Sequence, residues 1–218
     1  MREKNQVVLP LDLGICIPEG DFVFKVAEIC ESLDYTELFN TYLRAWRKVN
    51  PITMFEILVF AYMNRKFSSR DIENLCKTDI RFMWLLNGEP APSDSTITRF
   101  QRGHLAEAIE GLFYQFVEKL YEMGEIKVNQ VILEHRPKTL EALTSEEGTL
   151  LRMNRSIQVE GVFGVLKEDY GFRRFLTRGK KNIEMQFFLL AFALNIEKLC
   201  NRTKKGRIGL DLFTLNAS

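Results

Sequence analysis

From residue 21 to residue 125 the apolar positions recur at three- and four-residue steps, the spacing of helices that each bury one stripe against a common core. Phe22, Val23, Val26, Ile29, Cys30 and Leu33 predict a first amphipathic helix. Asp34, with Glu37 three residues on, predicts a capped second one through Leu38, Phe39, Tyr42, Leu43 and Trp46. Asn50-Pro51 is a start signal, with Asn as N-cap and Pro at the first helical position, where its missing N–H costs nothing. The helix it opens, through Ile57, Leu58, Phe60 and Met63, is apolar on nearly every face and is expected at the centre of the core. Ser68-Ser69 opens another, carrying Ile72 and Leu75. Gly88 to Pro92 reads as a loop, and Ser93-Asp94-Ser95 caps the next helix. Ile97, Phe100, Leu105, Ile109, Phe113, Phe116 and Leu120 then predict helix from Thr96 to about Met123, broken near Gly103.

The flanks read differently. Residues 1–20 hold Pro10, Gly14, Pro18 and Gly20 and predict an extended arm, with room for a short strand at Gln6–Leu9. Residues 126–143 read as a linker in which Lys127–Leu133 fits a short strand. Thr144-Ser145-Glu146-Glu147 fits a capping box opening a helix through Val159 to about Lys167. Gly171 and Gly179 bracket a basic connection, and Asn182–Cys200, apolar on most faces, predicts a long buried helix. The expected fold is mainly α. A helical domain (21–125) is followed by a C-terminal region (144–201) of long helices with at most one or two short strands, then a basic tail (202–218).

Composition narrows the class. The 218 residues are 46% hydrophobic and 27% charged, with 17 Phe, as suits packed helices and not a disordered chain. Cys16, Cys30, Cys76 and Cys200 form no CxxC pair, and no secretory signal precedes them, so reduced thiols in a cytoplasmic protein are expected. The longest apolar run, Phe187 to Leu194, is too short to cross a bilayer. The net charge of +1 conceals an asymmetry: residues 1–125 carry 14 Lys+Arg against 19 Asp+Glu, and residues 126–218 carry 16 against 10. Either the basic half meets an acidic partner, nucleic acid being the commonest, or the two halves attract each other.

The chemistry concentrates between Arg155 and Lys181. Glu160 and Lys167 are seven apart, so on a helix they share a face about 10 Å apart along its axis. Gly161 and Gly164 sit beside Glu160, where a helix tolerates them at a cost of roughly 1 kcal/mol each, as when a backbone or nucleic acid comes close. Residues 167–181 hold six Lys+Arg (Lys167, Arg173, Arg174, Arg178, Lys180, Lys181) against two acids, with Tyr170, Phe172 and Phe175 between them. Cations mixed with aromatics beside a carboxylate suit a phosphodiester-handling site. A glutamate on a solvated helix face followed by a solvated basic loop would look the same. In the first half, helices flanking a turn within 68–103 suggest a helix-turn-helix with Arg99 and Arg102 exposed on its second helix, although that half is net acidic.

The segment from Thr144 to Leu199 resembles the C-terminal end of DDE transposases of bacterial insertion sequences. The carrying residues are Glu160, Lys167, the run Tyr170-Gly-Phe-Arg-Arg-Phe175, and Asn195-Ile-Glu-Lys-Leu199. Ser68-Ser-Arg-Asp-Ile-Glu73, Arg81-Phe-Met-Trp-Leu85 and Pro92-Ser-Asp-Ser-Thr-Ile-Thr-Arg-Phe100 resemble the helical N-terminal domain of the same family. The resemblance implies that Glu160 is the third metal-binding carboxylate and that Lys167 touches donor-end DNA. Arg173, Arg174, Arg178, Lys180 and Lys181 of the basic run are expected as further DNA contacts. Arg155 is one step off the family's arginine and is retained as a phosphate contact. Partners implied are DNA of the terminal repeats, a second copy of the chain, or a full-length transposase.

One departure governs the functional expectation. The family's chemistry uses three carboxylates around two Mg²⁺ ions held about 3.5–4 Å apart. Between Ile126 and Glu160 this chain has no Asp at all. Both Asp-bearing segments of the RNase H-like core are therefore expected to be missing, with a junction near residues 126–134, and Mg²⁺ is not expected to be held stably. The expected protein binds insertion-sequence DNA but is catalytically incomplete alone. The alternatives are a regulatory fragment acting on full-length transposase, and a decayed product.

Overall fold

The computed structural model describes residues 13–42, 49–125 and 164–206. The strand expected at 6–9, the end of the second helix with Trp46, the linker with its strand at 127–133, most of the capping-box helix, and the tail beyond 206 lie outside those residues. So do Arg155 and Glu160.

After a 3₁₀ turn at Leu13–Cys16, the helices are α1 (Phe22–Glu31), α2 (Thr36–Tyr42), α3 (Pro51–Met63), α4 (Ser69–Thr78), α5 (Ile80–Leu86), α6 (Asp94–Phe100), α7 (Ala106–Glu122) and α8 (Lys180–Lys204). No strand occurs among the described residues, and the fold is mainly α as the periodicity predicts. Side-chain caps set several starts. Asp21 accepts from the Val23 N–H at the head of α1, Asn50 from Ile52 at the head of α3, and Ser93 from Thr96 at the head of α6. Asp34 accepts from both the N–H and the hydroxyl of Thr36 ahead of α2.

Two local features depart from the expected elements. The helix opened by Ser68-Ser69 is α4, which carries Ile72 and Leu75 as expected; Asp79 ends it, and its carboxylate caps the Arg81 N–H to begin a further helix, α5. The expected break near Gly103 is instead a single π turn, Gln101–Leu105, that joins α6 to α7 without interrupting the rod. α5 thus lies between α4 and α6 in the chain, and the region 68–103 is a three-helix unit, not two helices about one turn.

α3 is the centre: Met54 through Met63 are all buried. α8 packs against α3 and α7 and touches α1, so the long helix expected to be buried does pack on the N-terminal helices. Its Phe192 has no exposed surface and meets Phe55 of α3 at 5.2 Å and Phe113 and Phe116 of α7 at 5.3 and 5.1 Å between ring centroids. Buried residues from Ile17 to Leu120 and from Leu166 to Cys200 form a single cluster. Burying each large side chain contributes about 1.5–3 kcal/mol, so this shared core dominates the fold's stability.

The ends of α3 and α7 make a useful contrast. In both, the residue just after a left-handed one bonds back five residues: Lys66 N–H to the Ala61 carbonyl, and Glu125 N–H to the Leu120 carbonyl. That closure needs a left-handed residue before it. α7 uses Gly124 (φ 73°), but α3 uses Arg65 (φ 61°). A side chain there costs about 1 kcal/mol relative to glycine.

Candidate nucleic-acid interface

The basic connection begins with the π turn Val165–Asp169, whose Leu166 points into the core. The backbone then folds back: Tyr170 N–H donates to the Val165 carbonyl at 3.0 Å and Phe172 N–H to Leu166 at 2.9 Å. Gly171 between them takes φ 63°, a conformation that a side chain would strain. Tyr170 and Phe172 are buried. Tyr170 donates its hydroxyl to the Glu197 carboxylate on α8. Its phenol is held in the neutral form by burial first and then by that carboxylate. Phe172 packs edge-on against Phe67, 5.1 Å between centroids, and against Phe175 at 5.2 Å. Tyr170 and Phe172 are therefore anchors of the segment, not a stacking surface, whereas Phe175 is 41% exposed.

From Arg173 to Arg178 the chain is tied to α8 by polar contacts. Leu176 N–H donates to the buried Gln186 side chain at 3.1 Å, the Thr177 hydroxyl donates to the Asn182 carbonyl at 3.2 Å, and the Asn182 amide returns to the Arg178 carbonyl at 2.9 Å. Gly179, at φ 90°, turns the chain into α8. These bonds tie a short, irregular segment to α8 with Lys167, Arg173, Arg174 and Arg178 all exposed. Replacing Gln186 with leucine is expected to release this segment while leaving α8 packed, read as amide hydrogen exchange at Leu176 rising toward the rate of an unprotected loop.

The expected contacts fall into two groups. Lys181 is engaged within the chain, its ammonium 2.6 and 2.9 Å from the two Glu107 carboxylate oxygens on α7. Lys180 lies 3.7 Å from Glu184 on the same helix, a surface pair worth little. Arg99 is exposed on α6, whereas exposed Arg102 lies in the π turn beyond it. The α4–α6 region carries its own ionic lattice, with Arg70 3.7 Å from Asp94 and Glu73 accepting the Asp94 N–H at 2.8 Å. A Cβ at Gly164 would meet nothing within 4 Å, so no described part of the chain requires that glycine. Among the described residues, no group of three or more His, Cys, Asp or Glu side chains could hold a metal ion.

A second polar place was not legible in sequence spacing. Asp21, Phe22, Phe60, Met63, Asn64, Arg65, Arg81, Glu197 and Lys204 line a cleft of about 410 Å³ where the ends of α1, α3, α5 and α8 converge. Arg81 crosses it, 2.7 Å from Asp79, 3.9 Å from Asp21 and 5.3 Å over the Phe60 ring. The bond between Asp79 and Arg81 lowers the carboxyl pKa and raises that of the guanidinium.

Comparison with known families adds two matches. Residues 11–103 match a model described as "Transposase domain (DUF772)", and residues 118–200 match one described as "Transposase DDE domain". No curated protein and no solved structure matches the chain. No helix among the described residues is long and apolar enough to cross a membrane.

Proposed function

Because the chain belongs to the insertion-sequence DDE transposases, we propose that it binds insertion-sequence DNA through residues 167–181 and takes part in transposition without cutting DNA by itself. The carrying observation is the basic connection: three arginines, Arg173, Arg174 and Arg178, exposed on a segment fixed by Tyr170, Phe172, Gln186 and Asn182. Cations on a pre-ordered backbone lose little conformational freedom when they meet phosphates. Lys167 and Lys180 flank the same segment, Arg155 precedes it in the chain, and Arg99 and Arg102 are the N-terminal candidates.

The family's cleavage chemistry depends on divalent metal ions. Glu160 is the one carboxylate the resemblance assigns to them, and no Asp stands between Ile126 and Glu160. A single acidic ligand does not fit a two-ion centre, so no cleavage step is assigned to this chain. An internal deletion with its junction near residues 126–134 accounts for that gap.

A gel-shift titration against the element's inverted repeats tests the reading. Wild type is expected to bind with a steep salt dependence, and Arg173→Gln/Arg174→Gln to weaken binding about tenfold or more and lower the salt slope by about 2. Absence of salt-sensitive binding would sink the proposal and leave decay. A nicking assay with Mg²⁺ or Mn²⁺ is expected to be blank. Cleavage by wild type that is lost in Glu160→Gln would show the chain to be a competent nuclease and overturn the reading.

A regulatory reading has its own support. Phe175, Leu176, Ile183 and Phe187 are exposed beside the basic connection, at 41, 48, 36 and 49%. Such an apolar strip suits contact with a full-length transposase or a second copy. Co-purification with an intact transposase, lost in Phe187→Ser, would favour it.

A further inference from the structure

We propose that the cleft between α3 and α8 is a second phosphate site, in which Arg65 and Lys204, backed by Arg81, take a backbone phosphate of the bound DNA. The proposal rests on the DNA-binding reading above but places contacts where neither the sequence spacing nor the basic connection does.

Three observations carry it. The first is the cleft itself, which gathers Arg65, Arg81 and Lys204 from the ends of three separate helices. Its two carboxylates are already engaged: Asp21 accepts the Val23 N–H at 2.9 Å, and Glu197 accepts the Tyr170 hydroxyl. Arg81 is committed to Asp79, which fixes its position. Arg65 and Lys204 are different. Each lies over an aromatic ring, Arg65 at 5.5 Å from Tyr170 and Lys204 at 4.1 Å from Phe22, and among the described residues neither has a carboxylate partner. Ring contact orients a cation without using up its N–H donors, which stay available to an anion.

The second observation is backbone strain. Arg65 occupies the left-handed closing position of α3 that glycine fills at the end of α7. Backbone geometry alone would favour glycine there, so the arginine sits at a strained position from which its side chain reaches the cleft. The third is continuity. Tyr170, the ring under Arg65, starts the loop that bears Arg173 and Arg174, so the cleft adjoins the basic connection. A duplex lying on the connection could reach both.

The strain gives the test its leverage. Fluorescence anisotropy would track wild type, Arg65→Gly, Lys204→Gln, the double variant and Arg173→Gln/Arg174→Gln between about 50 and 300 mM NaCl. The probes are a terminal-repeat duplex and an unrelated duplex of equal length. Arg65→Gly is expected to melt at or above the wild-type temperature, because glycine relieves the closing turn, and yet to bind both duplexes about tenfold more weakly with a salt slope lower by about 1. Lys204→Gln should behave likewise in binding, and the double variant should lower the slope by about 2. If Arg65→Gly and Lys204→Gln bind as wild type while Arg173→Gln/Arg174→Gln is weakened, the cleft proposal falls and the DNA-binding reading stands. If wild type binds neither duplex in a salt-sensitive way, both fall.

Discussion

Phe192→Ala is expected to lower the stability of the whole protein by about 4 kcal/mol, in one cooperative transition. Phe192 is completely buried on α8. Its ring meets Phe55 of α3 edge-on and stacks with Phe116 of α7 at an interplanar angle of 25°. Truncation removes the transfer energy of the ring, leaves a cavity, and forfeits edge and stacking contacts worth about 0.5–1.5 kcal/mol per pair. In a protein of this size the loss corresponds to a fall of about 8–16 °C in melting temperature. Urea unfolding monitored by far-ultraviolet circular dichroism reads it directly. The informative feature is the shape of the curve. A core shared between α3, α7 and α8 requires all helical signal to shift together. An early, partial loss matching only the ellipticity of α8, with the rest unfolding at the wild-type midpoint, would mean that the N-terminal helices stand alone.

That shared core also explains what sequence reading could and could not see. Elements whose signals are local were legible: the Asn50-Pro51 start of α3, the Ser93 cap of α6 and the apolar periodicity of α8 all depend on residues a few positions apart. The division of α4 from α5 was not, because Asp79 becomes a cap only through its bond to Arg81, and that bond forms only once the backbone at Asp79 has turned extended. The aromatics of residues 170–175 suggested nucleic-acid stacking by composition, whereas Tyr170 and Phe172 are spent on burial and leave the arginines outside. Lys181 looked like one more surface cation until α7 brought Glu107 to it from 74 residues away. The cleft was invisible for the same reason: its lining comes from positions 21 to 204, and no spacing rule joins Arg65 to Lys204.

The second large effect is expected from pH. Glu56 sits in the middle of α3 at 7% exposure. Burial is the main cause that pushes its carboxyl up to about 8, with the negative charges of Glu31 and Glu89 adding to it. Glu89 is held nearby by accepting the Asn50 N–H at 2.9 Å. In the unfolded chain the same group titrates near 4.5. Between those values the folded protein keeps a proton that the unfolded chain releases, so raising the pH favours unfolding. Stability contributed by the protonated group is complete below pH 4.5, falls by up to about 1.4 kcal/mol per pH unit, and levels off above about 8. Carboxyls shifted the opposite way, Asp34 by its bonds to Thr36, Glu73 by Lys77 and Asp79 by Arg81, act only as the pH falls below their ordinary range and do not mask this window. Glu56→Gln, which keeps the shape and cannot ionise, is therefore expected to match wild type near pH 5 and to exceed it by a few kcal/mol at pH 8. Urea midpoints measured at unit steps from pH 5 to 8 would show wild type declining and the variant nearly flat. Parallel declines in the two proteins would assign the pH dependence to other groups and remove Glu56 from the account.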